Sequence, residues 1–175
     1  MKMNKSDCEK AEMLVEVLPY VNRFRDKIIV IKYGGNAMIN EDLKKAVMQD
    51  LLLMKSVGMH PILVHGGGPA INDMLKKLKV ESHFEQGLRV TDKETMEIVE
   101  MVLAGKVNKD IVGTLNQIGG KGIGLSGKDG NLIQARKKYL EKNGEKIDIG
   151  YVGEVEVVNK EMLESLIYSG YIPVI

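Results

Sequence analysis

Short aliphatic runs alternate along the chain with amphipathic stretches of helical period. Ile28–Tyr33 (IIVIKY) is almost wholly apolar and β-branched and ends in glycine, which predicts a strand buried on both faces in a parallel sheet, with Lys32 as the exception. Asn40 then stands where it can cap a helix whose apolar stripe is Leu43, Val47, Leu51 and Met54, with Gly58 as the stop. Residues 61–64 (PILV) read as a second short strand. His65-Gly66-Gly67-Gly68-Pro69 follows at once, and then a helix carrying Ile71, Leu75 and Leu78. Strand, glycines and helix, twice over, predict a parallel sheet with right-handed crossovers.

Further along, residues 84–91 (FEQGLRVT) form a short extended segment containing a glycine. Thr91 and Glu94 fit a capping box that opens a helix with Met96, Val99 and Leu103, continued by Val107, Ile111, Leu115 and Ile118 as far as Gly119. Ile123-Gly124-Leu125 suggests another short strand within residues 122–127. Residues 132–135 and 151–158 read as strands around the polar stretch 136–147, the pattern of a β-hairpin excursion. Asn159 caps a last helix with Leu163, Leu166 and Ile167, stopped by Gly170, and residues 171–175 begin another buried strand.

The first 26 residues stand apart. Ser6 and Glu9 fit a capping box, and Ala11, Leu14, Val15 and Leu18 form a helical stripe. Pro19 falls inside a pattern that resumes at Val21 and Phe24, so the helix should end or kink there. Two readings are open: a helix packed on its own domain, or an arm packed on another subunit.

Composition narrows the class. With 175 residues, 44% hydrophobic and 28% charged, the chain suits one soluble domain or one domain with an appendage. A formal charge of +1 gives no general attraction to nucleic acid or anionic lipid. No apolar run approaches a membrane span, and no secretory signal is expected. The lone Cys8 permits no internal disulfide, and a reducing cytoplasm is the expected location. His60, His65 and His83 are scattered, so no metal centre is expected.

The 19 glycines bunch at Gly34-Gly35, at Gly66-Gly67-Gly68 and across 119–127. Lys32-Tyr33-Gly34-Gly35 places an ammonium at a strand end beside backbone that a phosphate can approach closely, a pattern that fits anion binding. It equally fits a lysine reaching from a strand end to solvent. His65-Gly66-Gly67-Gly68-Pro69 lies before a helix N-terminus, whose unpaired N–H groups favour negative charge. His65 can orient that loop or simply pack. In Gly87-Leu88-Arg89-Val90-Thr91 the guanidinium of Arg89 can take a carboxylate or phosphate bidentately, or form a surface salt bridge. An esterase oxyanion loop is disfavoured because no Gly-x-Ser-x-Gly elbow exists. Residues 122–128 miss a P-loop because Asp129 replaces the required Ser or Thr. Their Gly-x-Gly-x-x-Gly match lacks a preceding strand.

In that order and spacing these three motifs resemble the acetylglutamate kinases of the amino acid kinase family. Leu103-Ala104-Gly105-Lys106-Val107-Asn108-Lys109 and Gly170-Tyr171-Ile172-Pro173-Val174-Ile175 do so as well. The resemblance runs from about Ile28 onward. It implies a three-layer α/β/α sandwich with a mainly parallel central sheet and transfer of phosphate from ATP, as its Mg2+ complex, to the side-chain carboxylate of N-acetyl-L-glutamate, in arginine biosynthesis. By matching position, Lys32 would stabilise the phosphoryl group. Gly34, Gly35, Gly67 and Gly68 would offer N–H groups to it and to substrate, and Arg89 would hold the substrate α-carboxylate.

Residues 1–26 resemble the kinked helix that joins dimers into a hexamer in arginine-inhibited members. Tyr20 falls where an aromatic contacts L-arginine. Residues 27–175 would be the acylglutamate-binding lobe of a homo-oligomer. The family's nucleotide lobe, with its second lysine, aspartate and asparagine, finds no match here, so the chain alone is expected to be inactive. The alternatives are a non-catalytic substrate-sensing or assembly module, or another carboxylate or carbamate kinase of the family.

Overall fold

The computed structural model describes residues 5–38, 40–142 and 144–175. In chain order its elements are α1 (Lys5–Phe24), β1 (Ile28–Tyr33), α2 (Glu41–Ser56), β2 (His60–His65), α3 (Gly68–Leu78), the short pair β3 (Phe84–Glu85) and β4 (Leu88–Arg89), and α4 (Lys93–Glu100). A π-helical segment, Met101–Val107, leads into α5 (Asn108–Gln117). Then come β5 (Gly122–Gly124), the hairpin β6 (Ile133–Lys142) and β7 (Glu145–Val158), α6 (Lys160–Tyr168) and β8 (Ile172–Val174).

The expected parallel sheet forms, in the order β1-β2-β8-β5. Side chains alternate across it. One face carries Tyr33, Leu63, Ile172 and Val174, which pack with Met48 and Leu51 of α2 and Ile111 and Leu115 of α5 into the main core. On the other face α6 packs against β8, with Ile167 buried and Tyr168 edge-on to His60. A second cluster, Ile71, Leu75, Ile98 and Val102, joins α3, α4 and the π-helical segment. Lys44 ties α2 to α5 through Asp110 at 2.8 Å. Burial pulls its pKa down, but the bonds to Asp110 and Glu41 outweigh this and raise it.

Several local expectations give way to tertiary context. β1 is an edge strand whose outer face is bare, with Ile28 41% and Val30 63% exposed, rather than a strand buried on both faces. Leu43 and Leu78 point outward, because Lys44, Met48 and Leu51 form the buried stripe of α2, and Ile71 and Leu75 that of α3. In α4 the cap is Asp92, which accepts from the Thr95 amide, while the Thr91 hydroxyl turns back to donate to the Arg89 carbonyl. Ser6 already lies within α1, and the helix does not end at Pro19 but runs on to Phe24. The polar stretch expected between two strands is itself extended. β6 and β7 pair through it, held by cross-strand ion pairs such as Lys137–Asp148 at 2.6 Å. No helix among the described residues is long and apolar enough to cross a membrane.

Candidate active site

The glycine-rich loop leaves β2 at the carboxyl end of the sheet. Its start is fixed on both sides: the His65 amide donates to the Ile175 carbonyl at 2.8 Å, and the Gly66 amide to the Tyr33 carbonyl at 3.0 Å. Gly67 is the N-cap of α3, Gly68 its first residue and Pro69 the next. The amides of a first helical turn have no intrahelical acceptor, so this end offers donors and a positive dipole to an anion. Gly67 lets the loop lie close against Leu103. A Cβ there would run into Leu103 Cδ2 and stand 3.7 Å from Val107. Gly35 is required by conformation, since its φ of +63° is left-handed as the chain enters a 3-10 turn.

Behind the loop lies a hub that sequence pattern missed. Asn108, 1% exposed, donates to the Val174 carbonyl at 2.9 Å, meets His65 Nε2 at 3.2 Å, and accepts from Lys109 Nζ at 3.1 Å. It therefore joins α5, β2 and β8. Gly124 makes room for it, because a Cβ there would overlap Asn108 Oδ1 and lie 2.7 Å from Lys109 Nζ.

A cleft of about 370 Å³ opens beside the loop, with His65, Asn108 and Ile175 on the sheet side and Val99, Leu103 and Ala104 opposite. Met96, Val99 and Leu103 of the expected helical stripe are half-buried along this wall, with Val99 and Leu103 also packed against the second cluster, in which Ile98 and Val102 are buried. A second cleft, about 610 Å³, is bordered by Tyr151, Val152 and Gly153 of β7 and shares Met96, Glu100 and Lys128 with the first. The Lys128–Glu100 ion pair, 2.6 Å, sits where they meet. Next to it, the Ser126 amide and hydroxyl donate to Asp129 at 2.6 and 3.0 Å. Those bonds hold the Asp129 pKa below the usual carboxylate range. The hairpin is tied to the body at several points, among them the Lys142–Glu85 ion pair and the Gln86 side chain, which donates to the Glu141 carbonyl; the tie beside this cleft is a backbone bridge to Thr91. The Thr91 amide donates to the Ile149 carbonyl, and the Tyr151 amide to the Thr91 carbonyl at 2.7 Å.

The remaining expected site residues lie around this cleft rather than in it. Arg89 donates to Ser82 and to Asn72, one helical turn along α3 from Gly68, and its guanidinium stacks 4.7 Å over the Phe84 ring. Partial burial lowers its pKa. Lys32 is exposed at the end of β1, paired in register with Val64 on the sheet face opposite Tyr33. Gly34 has open space around it. Tyr20, 64% exposed on α1, lies among the exposed Leu14, Val17 and Leu18 of the same helix. Lys32, Gly34, Gly35, Gly67, Gly68, Arg89 and Tyr20 line neither cleft.

The model of the amino acid kinase family matches residues 27–175. The chain belongs to the amino acid kinase family. Curated relatives include the acetylglutamate kinase of Caldicellulosiruptor bescii, 62% identical over 167 residues, which cover 95% of this chain and 57% of the relative. That of Moorella thermoacetica is 58% identical over 177 residues, covering 99% and 60%. This amino acid kinase chain thus spans somewhat more than half the length of the relatives it matches. Among solved structures, smu.665 from Streptococcus mutans UA159 superposes with a TM-score of 0.70 at 32% identity, over 85% of this chain and 57% of that one. The N-acetylglutamate synthase of Neisseria gonorrhoeae, complexed with coenzyme A and N-acetyl-glutamate, shares the fold at a TM-score of 0.75 and 21% identity, over 94% and 36%.

Of the groups that build the amino acid kinase cleft, Asn108, Glu100 and Ala104 carry no periodic signal. The π-helical segment inserts between α4 and α5 and changes which faces turn inward, a local irregularity that often accompanies function.

Proposed function

We propose that this chain carries the acylglutamate-binding half of an acetylglutamate kinase, which transfers the γ-phosphoryl group of ATP to the side-chain carboxylate of N-acetyl-L-glutamate, in arginine biosynthesis. The observation that carries the reading is the glycine-rich loop at the N-terminus of α3, which follows directly on His65, itself part of the lining of an apolar-walled cleft. A dicarboxylate with an acyl group needs that combination of N–H donors for one end and an apolar wall for the other.

The nucleophile is a carboxylate oxygen of the substrate, already ionised at neutral pH because such groups titrate near pH 4. It forms a bond to the γ-phosphorus as the bond to the ADP oxygen breaks, giving an acyl phosphate and ADP. No general base is required. The chain's task is positioning and charge stabilisation. Gly67 and Gly68 amides meet the reacting carboxylate and the transferring phosphoryl group, with Lys32, Gly34 and Gly35 on the phosphoryl side. Arg89 takes the α-carboxylate by exchanging Ser82 and Asn72 for it. The magnesium of this scheme is that of the ATP complex, written as substrate. Among the described residues no group of three His, Cys, Asp or Glu side chains is arranged to hold a metal ion.

Calorimetry of the chain with N-acetyl-L-glutamate tests the reading, with glutamate, aspartate and carbamate as comparisons. The acylated ligand is expected to bind best, and Arg89→Ala to weaken it about tenfold or more through loss of a charge-assisted pair. Equal binding of glutamate or carbamate would favour another carboxylate or carbamate kinase of the family.

The exposure of α1 supports a second element of the proposal. Met13, Leu14, Val17, Leu18 and Tyr20 are 45–71% exposed along it, an apolar surface that a soluble helix does not leave to water without a partner. Residues 1–26 act as an arm that packs on a second copy, with a homo-oligomer as the result and Tyr20 as the contact for L-arginine. A chain lacking residues 1–26 is expected to sediment as a smaller species than the whole chain. Identical sedimentation of the two forms rules the arm out.

A further inference from the structure

The contacts around Asn108 together determine a protonation form that none of them determines singly. The Val174 carbonyl can only accept, so the Asn108 atom 2.9 Å from it is the amide nitrogen. The Lys109 ammonium can only donate, so the Asn108 atom 3.1 Å from it is the amide oxygen. The side-chain amide is thus oriented from both ends, and of the two acceptors left for its second N–H, His65 Nε2 at 3.2 Å is nearer than the Leu125 carbonyl at 3.5 Å. That nitrogen must accept, and so carries no proton. Across the ring, Nδ1 lies 2.8 Å from the Gly66 carbonyl oxygen, again an acceptor, so the proton sits on Nδ1.

We propose that Asn108 is a positioning residue for the glycine-rich loop, holding His65 as its neutral Nδ1–H tautomer and, through that ring, the carbonyl of the Gly66–Gly67 peptide. Gly66 is then held at both its backbone groups, its carbonyl by His65 and its amide by the Tyr33 carbonyl. The Gly66 carbonyl shares its peptide plane with the Gly67 amide, so holding the one aims the other, and Gly68 follows from it. Both nitrogens of His65 are committed to these two contacts. Its place between Asn108 and the loop is what its chemistry serves. The effect on ligand binding rests on the proposed function; the tautomer and the loop geometry do not.

Nitrogen–proton correlation NMR of the histidine side chains, recorded with the rings neutral, tests this on the unmodified chain. His65 is expected with its proton on Nδ1; a proton on Nε2 overturns the proposal. In Asn108→Leu the Nδ1–H preference is expected to be lost and the Gly66, Gly67 and Gly68 backbone amide signals to move. Unmoved signals in a folded variant also overturn it. A double-mutant cycle adds a functional readout. Asn108→Leu is expected to weaken N-acetyl-L-glutamate about tenfold in the native background and less than about twofold when His65→Leu is already present. Equal losses in both backgrounds mean that Asn108 acts by general support alone. If Asn108→Leu does not fold, the tautomer in the unmodified chain decides. If the unmodified chain binds no N-acetyl-L-glutamate, the functional reading fails while the spectra still judge this one.

Discussion

Gly150→Ala is expected to break the bridge between the β6–β7 hairpin and Thr91 and to loosen the hairpin there. Gly150 has a φ of +78°, and a Cβ built on it would fall on the Thr91 carbonyl oxygen, well inside van der Waals contact. Both partners are backbone, so no flexible side chain can yield. The left-handed conformation costs about 1–2 kcal/mol with a Cβ present. Relieving the clash costs about 1–3 kcal/mol more. The Thr91 carbonyl also accepts the Tyr151 amide, and the Thr91 amide donates to Ile149, so any movement breaks both bonds. The expected loss of roughly 3 kcal/mol is a large share of the 5–15 kcal/mol that holds a typical domain. Urea unfolding and hydrogen exchange at the Tyr151 amide measure it. An unchanged midpoint together with a protected amide contradicts the anchoring role.

Lys32→Met is expected to remove catalysis while sparing substrate binding. A single donor aimed at developing transition-state charge is commonly worth about 10²–10³ in rate. The proposed role places Lys32 on the phosphoryl group rather than on N-acetyl-L-glutamate. Hydroxylamine trapping of the acyl phosphate reads the rate, using the chain joined to the C-terminal portion of a 62% identical relative. Calorimetry on the chain itself reads substrate affinity. A loss of substrate affinity as large as the loss of rate would move Lys32 from the phosphoryl group to the substrate.

The parallel sheet was legible because its signal is local and repeated. Aliphatic runs ended by glycine or histidine, each followed by a capped amphipathic stretch, admit few other topologies. The glycine-rich loop was equally plain, since Gly66-Gly67-Gly68 before Pro69 has little use inside a core. What stayed hidden depends on contacts distant in sequence. Val30 and Leu75 look alike as letters, but one faces open solvent from an edge strand and the other is enclosed by α4 and the π-helical segment. Asn108 reads as an ordinary polar helical residue. It is buried only because Gly124, sixteen residues away, has no side chain to oppose it. The choice of Asp92 over Thr91 as cap was set by Thr91 being drawn into the bridge to Gly150.

The bare outer face of β1 gives Lys32 a second duty. Within this sheet β1 has a hydrogen-bonded neighbour on one side only, and its sequence IIVIKY would make a good template for another extended strand. Lys32 is the one charge in that strand, exposed on the same face as Val30. A charge at a sheet edge opposes stacking of like chains through repulsion and through the cost of desolvating the ammonium. The residue proposed for the phosphoryl group therefore also stands where its charge opposes self-association, and Lys32→Met is best measured at more than one protein concentration.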